Sequence, residues 1–104
     1  MTKEQLAEKT SENIVFIGGK PFMNYVTGVI MQFTTKKANE VTIKSRGKFI
    51  SKAVDVAEVS RRKFLGDLNI KVENIQIGSE KFENKEGKIL NVSTLEIVLK
   101  RNNQ

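Results

Sequence analysis

Two stretches of this chain share one local plan. NIVFIGGKPFMNYV (residues 13–26) and EVTIKSRGKFISKAV (40–54) each pass from a β-patterned segment, through a Gly-Lys turn, into a helical pattern. In the first, Ile14, Val15, Phe16 and Ile17 form a continuous apolar run, the pattern of a strand buried on both faces. In the second, Val41 and Ile43 alternate with Thr42 and Lys44, as a strand does. Two strand–helix units in succession require parallel strands joined by right-handed crossovers.

The helical patterns extend this plan. Pro21 falls at the first helical position, where its fixed φ suits the helix and its missing N–H leaves nothing unpaired. Phe22, Tyr25, Val26, Val29, Ile30 and Phe33 recur at spacings of three and four, which predicts a helix ending near Lys36-Lys37. A second helix is expected from about Phe49 to Leu65, with Ile50, Ala53, Val54, Ala57 and Phe64 on one face. Val56 and Val59 fall on another side, which marks a candidate protein–protein surface. Residues 70–83 and 89–100 read as two long strands, and ENKEGK between them offers Asn84 and Gly87 for a turn with φ > 0. The order is βαβαββ. The fold class is α/β, or α+β when the terminal hairpin is counted, in one domain over residues 13–101 flanked by tails at 1–12 and 102–104.

Composition narrows the chemistry. The sequence has no cysteine and no histidine, which removes disulfides, thiolate nucleophiles, Cys/His zinc sites and histidine acid/base catalysis. No metal, no cofactor and no catalytic residue is expected, so the chain reads as a non-enzyme. No apolar run approaches the roughly 18 residues of a membrane span, and MTKEQLAEKTSE lacks the apolar core of a signal peptide. The net charge of +6 favours polyanion partners. Most of that excess lies in residues 44–63, where Lys44, Arg46, Lys48, Lys52, Arg61, Arg62 and Lys63 face only Asp55 and Glu58.

In a parallel βαβ arrangement both Gly-Lys turns fall at the carboxyl edge of the sheet, where open α/β sheets bind ligands. Each helix N-terminus there offers unpaired N–H groups and the positive end of a dipole. Lys20, Lys48 and Arg46 add full charges, so the edge carries two adjacent anion sites. The nucleotide P-loop needs a hydroxyl residue after its lysine, but Pro21 follows Lys20 and Phe49 follows Lys48. A polymer of repeating phosphates suits the pair of turns better than a nucleotide does.

NIVFIGGKPFMNYV, IKSRGKFISKAVDVAEVSRRKFL and the later GSEK and VSTLEI segments resemble the Alba family of archaeal chromatin proteins, over residues 13 to about 100. The resemblance implies a homodimer, cytoplasmic and associated with the chromosome. It would bind double-stranded DNA, and often RNA, with little sequence preference. RNA packaging is the alternative function. By the resemblance, Lys20 matches one lysine of a backbone-gripping pair, and Gly19 stands in the place of the other. Pro21, Arg46, Gly47 and Lys48 match the two turns, with Lys44 and Lys52 beside them in the basic segment, and Asn13 matches an asparagine before the first strand. The hairpin tip, with Asn84, Lys85, Gly87 and Lys88, would follow the minor groove, and Asn91 replaces an arginine just beyond it. Phe64 matches a phenylalanine used between dimers, and Val56 and Val59 are assigned to the same dimer–dimer contact.

Overall fold

The structure is a computed structural model that describes residues 13–102. The expected tail at 1–12 lies outside the described residues, as does all but Asn102 of the expected tail at 102–104. Six main elements follow the order read from the sequence: β1 (Ile14–Phe16), α1 (Phe22–Phe33), β2 (Glu40–Arg46), α2 (Ile50–Val59), β3 (Ile70–Glu83) and β4 (Ile89–Arg101). They build one sheet of order β1-β2-β4-β3, with β1 parallel to β2 and β4 antiparallel to both its neighbours. Because β2 and β3 each oppose β4, they run in the same direction, and α2 carries the chain over β4 between them.

Both helices pack on one face of this sheet. Val41, Ile43 and Ser45 of β2 are buried, in register with Leu99, Ile97 and Leu95 of β4. Val26, Val29 and Phe33 of α1 and Ala53, Val56 and Ala57 of α2 complete the core above them. The alternate residues Thr42 and Lys44 look out from the opposite face, as the two-residue strand period dictates.

That one-sided packing corrects the reading of the first strand. A continuous apolar run suggests burial on both faces, yet Phe16 is 64% exposed because no helix covers its side of the sheet. Pro21 also sits one place earlier than expected, as the residue before α1, with an extended ψ of 145°. The helix stops at Phe33, short of the lysine pair, and the chain turns away with Lys37 in the left-handed region at φ 53°.

The larger correction concerns α2. Beyond Val59 the helix continues as a π turn over Ser60–Phe64, closed by the Leu65 N–H donating to the Ser60 carbonyl. A π turn holds one residue more than an α turn, so it rotates everything after it. Leu65 therefore enters the core and Phe64 is turned outward, 51% exposed. The face assigned to α2 from the sequence also misplaced Val56, which falls at i+3 from Ala53 on the same stripe and is fully buried, and Val59, which packs half-buried against the core. Val56 lies beneath the surface and cannot form part of a contact between dimers.

The sheet ends unevenly. β2 pairs with β4 only as far as Arg46 opposite Thr94, whereas β3 and β4 remain paired out to Glu83 opposite Ile89. The hairpin therefore projects as a two-stranded arm. At its tip the Asn84 side-chain oxygen accepts from the Glu86 and Lys88 N–H groups, both at 2.9 Å, and Gly87 supplies the positive φ of 81°.

Candidate nucleic-acid interface

The two Gly-Lys turns lie side by side at the carboxyl ends of β1 and β2, and the arm leaves the sheet from the same edge. Gly47 adopts φ 57°, and a Cβ there would meet the Val92 side chain of the arm at 3.4 Å. The second turn and the base of the arm are thus in close approach.

The first turn is held from within the fold. The Tyr25 hydroxyl accepts from the N–H groups of Gly18 and Lys20, both at 3.0 Å. Lys52, one turn into α2, donates to the carbonyls of Gly18 at 2.8 Å and Lys20 at 2.6 Å. The same ammonium lies over the rings of Tyr25 at 5.0 Å and Phe49 at 5.9 Å. Tyr25 satisfies the donors of the loop, Lys52 satisfies its acceptors, and the contact fixes the spacing between the two turns. Lys52, read as a phosphate ligand, is instead a brace inside the fold.

Lys20 and Lys48 remain as exposed cations, and neither has an acidic partner among the described residues. Lys48 stacks over Phe49 at 5.4 Å. Neither helix start has an acidic residue in its first turn or a side-chain cap, so the positive ends of both dipoles face outward. Arg46 is paired with Glu80 of β3 at 3.1 Å, but both side chains are more than half exposed, and such a bridge contributes at most about 1 kcal/mol. Lys44 pairs with Glu96 at 3.1 Å.

Other sequence candidates are dispersed. Asn13 lies at the opposite end of β1, beside Glu40 and Thr42. Lys85, Gly87, Lys88 and Asn91 are exposed on the arm, while the side-chain oxygen of Asn84 closes its turn. The basic segment is split by α2: Arg61 and Arg62 sit past its far end, where both hold Glu58. These guanidiniums, Arg61 foremost, keep the Glu58 carboxyl below the usual carboxylate range. Sequence reasoning missed the Tyr25–Lys52 brace. Its one signal was a tyrosine in a core stripe, since a part-buried hydroxyl needs a polar partner.

A family model for Alba matches residues 13–79 of this chain. The chain belongs to the Alba family. A protein named DNA/RNA-binding protein Alba from Methanocella arvoryzae is 49% identical over 90 residues, covering 86% of this chain and 91% of that one. The Alba of Thermoplasma volcanium carries the same name and is 51% identical over 90 residues, covering 86% and 97%. A solved structure titled Alba from Thermoplasma volcanium superposes with a TM-score of 0.78 at 50% identity, over 86% of this chain and 100% of that one. ALBA1 from Trypanosoma brucei, at 21% identity, shares the fold with a TM-score of 0.64 over 88% of this chain and 71% of its own. The Alba resemblance read from the motifs is therefore correct, as is the α+β architecture.

Proposed function

We propose that this Alba-family chain is a non-enzymatic architectural protein that binds double-stranded DNA as a homodimer with little sequence preference. The observation that carries the reading is the shared edge. Two uncapped helix starts, the exposed cations Lys20 and Lys48, which have no acidic partner among the described residues, and the base of a projecting arm all lie there. Phosphates bind the turns, Arg46 joins them once released from Glu80, and the arm follows the minor groove with Lys85, Lys88 and Asn91. Backbone contacts of this kind position a protein without reading sequence. The names of its relatives, DNA/RNA-binding protein Alba, support a nucleic-acid partner.

The dimer uses the helix side of the sheet where the helices stop short. Val54 is 44% and Ile75 60% exposed, and they border an apolar groove with Ala57, Val72, Leu95 and Ile97. Glu58 and Arg61 stand at its rim. A second copy related by a two-fold axis buries this patch against itself. Phe64, exposed at the end of the π turn, is the side chain left for contacts between dimers.

Gly19 gives the test. A Cβ at Gly19 meets nothing within 4 Å, so lysine fits there without displacing the turn. Gly19→Lys restores a second cation, and the salt dependence of duplex binding should steepen by about one unit per protomer. Equal slopes for the two proteins, measured from low to high salt, would show that the turn does not hold phosphate.

A further inference from the structure

The helix-free face of the sheet carries a groove of about 310 Å³. Phe16 forms one wall, in register with Lys44, which is itself opposite Glu96. The Lys44 ammonium bonds Glu96 at 3.1 Å and lies 5.9 Å from the Phe16 centroid, the outer limit of a cation–π contact. Phe16 itself is 64% exposed. Arg46 and Glu80 close the far side with their own ion pair, and Thr94 lies between.

We propose that this groove binds an unpaired base of an RNA chain, with Phe16 stacking on the base. Charge argues for a base over a phosphate. Lys44 and Arg46 are each matched by a glutamate, so the groove is neutral where the adjacent turns are cationic. The glutamates accept from the amino groups of cytosine or guanine, as carboxylates do from cytosine N4. Arg46, freed from Glu80, reaches the neighbouring phosphate, and a strand leaving the groove runs on towards Lys48. Duplex DNA keeps its bases stacked inside, away from Phe16. RNA loops and bulges present bases that can be splayed onto an aromatic side chain of a sheet. This site lies on the face opposite the proposed dimer contact. It rests on the nucleic-acid reading above only for the onward path of the backbone.

The experiment compares anisotropy of a short oligocytidine RNA, the matching deoxyoligonucleotide and a DNA duplex at near-physiological salt. Phe16→Ala is expected to weaken RNA binding roughly five- to hundredfold, the effect of one lost base–aromatic stack. Duplex affinity and melting temperature stay unchanged, and Phe16→Tyr retains RNA binding. Retention of RNA binding by Phe16→Ala or Phe16→Leu would overturn the stacking role, as would equal losses on RNA and duplex. An equal loss on the deoxyoligonucleotide would overturn the assignment to RNA. Failure of Gly19→Lys to alter the duplex slope would count against the proposed duplex site and leave this result standing.

Discussion

Replacing Lys20 and Lys48 together by alanine is expected to weaken duplex binding by about 3 kcal/mol or more per protomer, roughly 150-fold, with the fold intact. Two charge-assisted contacts at about 1.5 kcal/mol each set that scale. The slope of log affinity against log salt should fall by about two units per protomer, because each lost phosphate contact stops releasing about one counterion. Stability is spared because both side chains are exposed and neither holds an acidic partner among the described residues. The substitution also gives up Lys48 over Phe49, a surface cation–π pair of about 0.5–1 kcal/mol. Salt titrations of both proteins, with a thermal melt as control, measure this. An unchanged slope would remove phosphate binding from the turns.

The second large effect is on assembly. Ile75→Glu should convert the proposed dimer to a monomer, read by light scattering on a sizing column. Burial of an isoleucine side chain contributes about 1.5–3 kcal/mol, and a two-fold axis counts the substitution twice. The variant also places two carboxylates in an apolar contact, which adds a desolvation cost. Together these exceed about 4 kcal/mol, roughly a thousandfold in the dimer constant. The isolated fold should tolerate the change, since Ile75 is 60% exposed in the single chain. Duplex affinity should fall with the dimer, because two linked sites bind far more tightly than one. Phe64→Ala, by contrast, should leave the dimer whole and reduce only cooperative coating of DNA. A dimeric Ile75→Glu protein would place the partner surface elsewhere.

Much of the fold was legible because its elements have clean periods. Val41 and Ile43 alternate through β2, and the stripe from Phe22 to Phe33 spans the whole of α1. The errors have specific causes. Phe16 belongs to a run that looks buried twice over, and only the layer arrangement reveals that one side of the sheet is bare. Phe64 and Leu65 exchange places because a π turn breaks the helical phase, which no spacing rule anticipates. At the candidate site, the Gly-Lys echo located both turns. The brace from Lys52 to Gly18 and Lys20 spans more than thirty residues of sequence and exists only in the folded chain. Charge counting alone therefore assigned Lys52 to the ligand, when its ammonium is held by the protein itself.

The central claim is that one sheet edge, built from two βα turns, holds the phosphates of a DNA backbone. Backbone amide resonances followed during titration with a DNA duplex test it most directly. The account predicts that the largest shifts fall at Gly18 to Met23 and Gly47 to Ile50, with smaller ones along the arm near Lys85 and Lys88. Shifts confined to the helix-side groove around Val54 and Ile75, with both turns unmoved, would contradict it.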